Sequence, residues 1–301
     1  TGSAKTISSL VLDSSAAALN ITGPANTLTL TSGALLATTT TAANAITLGG
    51  FTGILAPSNE YLLYVTNASN TLTINSPLTT AAASLTKSGG GTLVLGSAAS
   101  TYSGGTRFNQ GLIEVGNLNA LGTGVLRFSG GGLRWATGSS FDPSTRAMNF
   151  EMGGATLDTN GNSVTLANPI GNAGVGGLVK TGAGDLILNA VSTYTGDTTI
   201  NGGGLVYGVA EALSSNSNLI LGAGTLNHST FATILKGLQV TGNGTIAGAA
   251  DLSFTGNVEV NGAAARTLTV SNSGITTFDG ALLVLVDRGT TGRTLTITGT
   301  G

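Results

Sequence analysis

The stretch Asn70-Thr71-Leu72-Thr73-Ile74-Asn75-Ser76-Pro77-Leu78 returns 92 positions later as Asn162-Ser163-Val164-Thr165-Leu166-Ala167-Asn168-Pro169-Ile170. The same offset joins Tyr102-Ser103-Gly104 to Tyr194-Thr195-Gly196, and Ala120-Leu121 to Ala212-Leu213. Lys87 and Lys180 stand 93 apart, as a one-residue turn insertion produces. Self-similarity at a fixed period marks a repeat architecture. Within each copy apolar residues fall at i and i+2, which turns one face into a core and the other into solvent. Thr27-Leu28-Thr29-Leu30, Thr92-Leu93-Val94-Leu95, Asp185-Leu186-Ile187-Leu188, Thr267-Leu268-Thr269-Val270 and Thr294-Leu295-Thr296-Ile297 alternate in the same way. Gly, Asn or Ser-Gly follows most of these runs and punctuates them as turns.

The spacing of the runs sets a coil size. Leu28 and Leu72 are 44 residues apart, Leu72 and Leu93 are 21 apart, and 92 is four times 23. A coil of ~21–23 residues with about three short strands, stacked at ~4.8 Å, accounts for this and predicts an all-β parallel solenoid of ~13 coils. The expected organisation is one continuous solenoid over 1–301, with repeat units at about 70–161 and 162–251 and related coils at 1–69 and 252–301. A planar sandwich or propeller would carry aromatic motifs and more Pro-rich loops. Aromatics are 5% here and Pro numbers 5, which favours the solenoid. The nearest helical patterns, 81–85 and 231–238, are short and poorly capped, so no helix is expected.

Composition narrows the function classes. Only 8% of the 301 residues are charged, against roughly 25% in ordinary soluble domains. The 41% hydrophobic content excludes a disordered chain. Stacked coils explain the low charge, because a charge repeated at one position faces its own copy. Net charge is −2 with no basic patch, which argues against a nucleic-acid partner. The absence of Cys rules out thiolate metal sites and Cys nucleophiles. The longest apolar run, Ala281-Leu282-Leu283-Val284-Leu285-Val286, is too short to span a bilayer, so this segment is expected to hold no membrane span. The chain opens at Thr1 and closes in a further alternating run, so it is read as a processed or partial segment of a longer secreted protein.

A longer pattern runs through Leu85-Thr86-Lys87-Ser88-Gly89-Gly90-Gly91-Thr92-Leu93-Val94-Leu95, then Tyr102-Ser103-Gly104-Gly105-Thr106, Gly111-Leu112-Ile113-Glu114-Val115 and Ala120-Leu121-Gly122. Its second copy is Leu178-Val179-Lys180-Thr181-Gly182-Ala183-Gly184-Asp185-Leu186-Ile187-Leu188, Tyr194-Thr195-Gly196-Asp197-Thr198 and Gly204-Leu205-Val206-Tyr207, with departures at Asp185 and Ser214. The pattern resembles the autotransporter-associated β-strand repeat, also called the passenger-associated transport repeat. Lys87, Lys180, Gly104, Gly196, Leu93 and Leu186 are the residues that define it here. The resemblance implies a right-handed parallel β-helix on the extracellular or outer-membrane surface of a Gram-negative-type bacterium, ordinarily followed by a C-terminal membrane barrel.

No catalytic, metal or cofactor constellation stands out. The 13 acidic residues are scattered, and Asp158 with Asp185 is the pair that adjacent coils would bring together. His228 is the only His, expected at a surface or turn, too few for a His-based metal site and without a G-x-S-x-G elbow for nucleophilic catalysis. Gly182-Ala183-Gly184-Asp185-Leu186 lacks the spacing of a calcium-binding nonapeptide, and Gly89-Gly90-Gly91 lacks the Lys of a phosphate loop. Lys87 and Lys180 are expected to snorkel or to cover the core at a turn. Trp135, near Arg127 and Arg134, and the repeated Tyr102 and Tyr194 are the surface-binding candidates, with packed aromatics as the plainer reading. Three functions remain: a structural rod or fibre segment that self-associates end to end or side by side, since open solenoid ends are unpaired edges; an adhesin passenger whose partner is a glycan or cell surface; and a polysaccharide-degrading β-helix.

Overall fold

Alternation in the sequence becomes alternation in burial. In the computed structural model the strand Thr71–Ile74 runs half-buried, buried, half-buried, buried, and Thr27–Leu30 and Thr92–Leu95 do the same. The structure describes residues 3–14, 17–38, 45–213, 218–230, 232–234, 237–260, 265–280, 284–285 and 295–299. Strands pair in parallel with their coil neighbours, so each buried residue stacks on the buried residue of the next coil. The fold is an all-β parallel solenoid. By internal contacts the chain divides into two compact units, Thr1–Ala155 and Thr156–Gly301.

The first coils of the N-terminal unit have three strands: Lys5–Ile7, Leu10–Asp13 and Leu19–Thr22, then Thr27–Leu30, Ala34–Thr38 and Ile46–Gly49, then Gly53–Leu55, Glu60–Val65 and Thr71–Ile74. From Ser84–Ser88 onward each coil keeps two strands, paired as Ser84–Ser88 with Thr92–Leu95, Thr106–Phe108 with Leu112–Val115, and Leu126–Phe128 with Gly132–Trp135. Turns or 3-10 segments replace the third strand, at Leu118–Leu121 and Pro143–Thr145. Asn117 and Asp142 cap these segments by accepting from the amides of Asn119 and Ser144 at 2.9 and 2.8 Å. The core ladder Leu72, Leu93, Ile113 and Leu133 is wholly buried. Each such side chain contributes about 1.5–3 kcal/mol of apolar burial, an upper bound.

In the C-terminal unit, seven strands stack in one sheet: Val164–Leu166, Asp185–Leu188, Gly204–Tyr207, Thr225–His228, Gly244–Gly248, Arg266–Val270 and Leu295–Gly299. A second ladder runs through Leu178–Thr181, Thr198–Ile200, Leu219–Leu221, Leu238–Val240 and Val258–Val260. A third face, Ala232–Ile234, Leu252–Phe254 and Thr276–Phe278, appears only in the later coils.

One expectation changes. Coils are shorter than 21–23 residues through much of the repeats: register steps are 21, 20 and 22 along Lys87, Phe108, Phe128 and Phe150, and 20, 21, 19 and 20 along Lys180, Ile200, Leu221, Val240 and Val260. Early coils are longer, with 28 residues between Leu35 and Leu63. Ninety-two residues therefore hold more than four coils. As expected, the weak helical patterns form no helix: 81–85 runs into Ser84–Ser88, and 231–238 contains Ala232–Ile234. No α-helix occurs among the described residues. Ser214, Phe231, Asp287, Arg293 and Thr294, and all of the apolar run at 281–286 except Val284 and Leu285, lie outside the described residues.

Candidate functional site

The two lysines of the repeat lie inside the solenoid, each at 0% exposure. Lys87 sits in a core column between Leu63 and Phe108 of the neighbouring coils. Its Nζ donates to the carbonyl oxygens of Ser88, Gly89 and Gln110 at 3.0, 2.7 and 3.0 Å. Lys180 donates to Thr181, Gly182 and Gly202 at 2.8, 2.9 and 3.0 Å. In each case two acceptors belong to the turn just after the lysine and the third to the equivalent turn of the next coil. An ammonium has three donors and no acceptor, so each lysine is fully used. Burial pulls both ammoniums down to about 8, and at Lys180 the nearby Asp158 and Asp185 carboxylates oppose that drop. The snorkelling expectation is thus corrected: once the turn carbonyls point inward, they need donors that water cannot reach, and the lysine supplies them. Arg146 makes a related clasp, donating to the carbonyls of Leu121, Gly122 and Gly124.

The glycines after each lysine follow from this geometry. Gly89 and Gly182 have φ of 79° and 72°, the left-handed region that turns their carbonyls toward Nζ. Gly111 and Gly203, at 66° and 61°, repeat that turn one coil later and sit against the clamped carbonyls. Gly111 therefore matches Gly203 rather than Gly204: the offset between copies rises from 92 to 93 between Leu78 and Leu85 and returns to 92 between Leu95 and Tyr102. Gly104 and Gly196 pass close to the backbone at Ala83 and Gly177. Leu93 and Leu186 are wholly buried ladder residues.

Tyr102 and Tyr194 are also at 0% exposure. Thr106 gives its hydroxyl hydrogen to the Leu121 carbonyl at 3.1 Å, so the Tyr102 phenol donates to Thr106 Oγ1 at 2.8 Å. Tyr194 and Thr198 make the same contact at 2.6 Å. The Y-x-G-x-T spacing is thus a buried phenol with its partner four residues on. Burial raises the Tyr102 pKa. Trp135 is wholly buried and donates from Nε1 to the Phe141 carbonyl at 3.0 Å. Burial removes all three aromatics as surface contacts, because in an alternating strand or a tight corner the large apolar ring takes the inward position. His228 is likewise buried, not at a surface turn; it ends the strand Thr225–His228 and pairs with Tyr207 and Gly248. Among the described residues no three His, Cys, Asp or Glu side chains converge as a metal site would need.

The outward face of the N-terminal unit holds what the sequence reading passed over. Arg107 and Arg127 are register partners on adjacent parallel strands. Glu151 Oε2 accepts from Arg107 Nη1 at 2.7 Å and from Ser129 Oγ at 2.5 Å, and Glu151 Oε1 lies 3.8 Å from Arg127 Nη1. Arg134, which the reading grouped with Arg127, pairs instead with Glu114 at 3.4 Å. Thr86 donates to Glu60 Oε1 at 2.8 Å, and both line a groove of about 320 Å³ together with Arg107 and Arg127. The only sequence signal for the arginine pair is its 20-residue spacing, which equals one coil.

With the clamps and ladders in place, the class is defined: a parallel β-solenoid whose repeat is a lysine-clasped turn followed by a tyrosine corner. The passenger-associated-transport-repeat family matches residues 85–115 and 178–206, the two stretches that carry these features. The chain thus carries two stretches similar to that repeat. Over 110 residues, 36% of its length, it is 37% identical to a protein described as "Adhesin BmaC autotransporter" from Brucella suis biovar 1 (strain 1330). The match spans 3% of that relative's length. No solved structure matches the chain.

Proposed function

We propose that the chain is a stalk segment of a secreted passenger on the outer surface of a Gram-negative-type bacterium, without enzymatic activity, whose work is spacing and mechanical continuity. The supporting observation is where the inward-reaching cations go: the buried Lys87 and Lys180 and the half-buried Arg146 are each used to bind carbonyls across coils. Donors that tie one coil to the next resist peeling along the axis. The first coil leaves an edge open, since Lys5–Ile7, Leu10–Asp13 and Leu19–Thr22 each pair on one side among the described strands. A further coil, of the same polypeptide or of a second copy stacking end to end, fits that edge. Electron microscopy of the native material tests this. Continuous filaments with an axial repeat matching the segment support self-stacking, separate cell-attached rods support a monomeric stalk, and compact detached particles would defeat both.

A second reading, adhesion, is favoured by the description of the Brucella suis relative. It predicts that the purified chain retains binding to a cell surface or glycan when detached from the rest of its polypeptide. Binding that appears only when other segments are present would return the chain to the stalk role.

A further inference from the structure

A parallel solenoid avoids stacking like charges, because register partners on adjacent strands lie one strand spacing apart. Arg107 and Arg127 break that rule. Both side chains point outward and are 42% and 43% exposed. Glu151 offsets the repulsion unevenly. It holds Arg107 at 2.7 Å, with the Ser129 hydroxyl on the same oxygen, and stands 3.8 Å from Arg127. Beyond that 3.8 Å ion pair the Arg127 guanidinium makes no hydrogen bond among the described residues, leaving its planar donors for something else.

Beside this pair lies a groove of about 320 Å³, lined by Ser58, Asn59, Glu60, Thr86 and the two arginines among others. Its walls are hydroxyls, an amide and charges. On the same outward face Leu62 stands in the column that continues through Thr86, Arg107 and Arg127, and Tyr64 stands in a neighbouring column, before Ser88. Leu62 is 42% and Tyr64 47% exposed, so an aromatic face stands open two coils from Arg107 and three from Arg127.

We propose that this face binds an acidic saccharide, with Arg127 taking a carboxylate or sulfate in bidentate fashion, Glu60, Asn59 and Thr86 meeting ring hydroxyls, and Tyr64 offering its ring to a neighbouring sugar. A peptide fits less well. It needs apolar pockets or a free strand edge, and the strands beneath the groove are paired on both sides. The inference is independent of the stalk reading, which the imaging experiment tests on its own.

The experiment is retention of the purified chain, at low ionic strength, on immobilised polygalacturonate, heparin and dextran. Wild type binds polygalacturonate or heparin and not dextran; preference between the first two tells a carboxylate ligand from a sulfate. Arg127→Gln weakens binding about ten-fold, the effect of losing a charge-assisted pair. Glu151→Gln, which releases Arg107, strengthens it. Added salt weakens it throughout. Thermal unfolding of each variant confirms an intact solenoid, and the opposite signs of the two substitutions separate recognition from a general loss of structure. No retention on either acidic polymer, equal retention on dextran, or an unchanged Arg127→Gln overturns the proposal.

Discussion

The two repeat copies place one clamp in different surroundings. Around Lys87 the glycine turn presses on the backbone of the previous coil at Val65, Asn67 and Asn70. Around Lys180 the same turn meets Asn160, Asn162 and the side-chain carboxyl of Asp158, with Asp185 also acting on the ammonium. The carbonyl geometry at Nζ is nevertheless the same to within about 0.2 Å, across bonds of 2.7–3.0 Å at Lys87 and 2.8–3.0 Å at Lys180. The motif therefore encodes the lysine and its own turn, and tolerates change in what the turn rests on.

Removing the clamp should have the largest effect. Lys87→Met and Lys180→Met keep an apolar stem but strand three buried carbonyls each, and about 3 kcal/mol or more of stability should go, read from urea midpoints. Lys180→Met should cost a few tenths of a kcal/mol more, because Asp158 and Asp185 lose a favourable charge. Losses below about 1 kcal/mol in both would place the stability in the apolar ladders instead. The pH profile carries the sign of the burial. A folded-state pKa near 8 against 10.5 means that the folded chain sheds these protons first. Between those values the unfolded chain binds more protons and stability rises with pH. Above 10 the opposite holds for Tyr102 and Tyr207, whose phenols burial keeps protonated, and stability turns down. The rising limb should flatten in the Met variants.

The next comparison lies two residues on. A methyl at Gly89 would overlap the Val65 carbonyl oxygen, which is backbone within a paired strand; one at Gly182 would overlap the Asp158 carboxyl first, and a carboxyl can rotate. Both positions also require positive φ. Gly89→Ala should cost about 2–3 kcal/mol and Gly182→Ala about 1–2 kcal/mol in thermal unfolding. The reverse order would mean that the Asn160 amide beside Gly182, and not Asp158, limits the space.

How much of this was legible depends on what each residue depends on. Inward and outward positions along Thr71–Ile74 or Thr92–Leu95 follow from a period of two and could be read directly. The Tyr102–Thr106 and Tyr194–Thr198 pairs were present in the motif as a four-residue spacing, unread as a hydrogen bond. The buried lysines were missed because a Lys defaults to the surface, and only the positive φ of Gly89 or Gly182 reveals carbonyls turned inward. The arginine pair was hidden by the coil length. A coil of 23 sets Arg107 opposite Gly130, whereas the actual coil of 20 sets it on Arg127.

Thr106→Val and Thr198→Val test the tyrosine corner in each copy. Val keeps the shape of Thr and removes the acceptor, so the buried phenol is left without its partner and about 1–2 kcal/mol should be lost per site. Pairing each with Tyr→Phe at 102 or 194 should recover most of the loss, since both polar groups are then gone. Failure to recover would assign the cost to packing of the ring.

The smallest effect distinguishes the units themselves. His228 is the chain's single His, so the N-terminal unit has none. Its ring is buried beside Gly248, on a strand paired between those of Tyr207 and Gly248. Burial lowers its pKa from 6.5, against a smaller upward pull from the Thr230 backbone and the Asp251 carboxylate. As pH falls through 6.5 the unfolded chain takes up a proton that the folded chain refuses, so stability in this region should decline below 6.5 and not above it. Hydrogen exchange between pH 7 and 5, corrected for intrinsic rates, should show opening grow around Thr225–His228 while the strands of the N-terminal unit stay protected. His228→Phe should abolish the difference. An equal acid response in both units would trace the effect to carboxylates common to both, and would leave the buried imidazole without a role in the pH dependence.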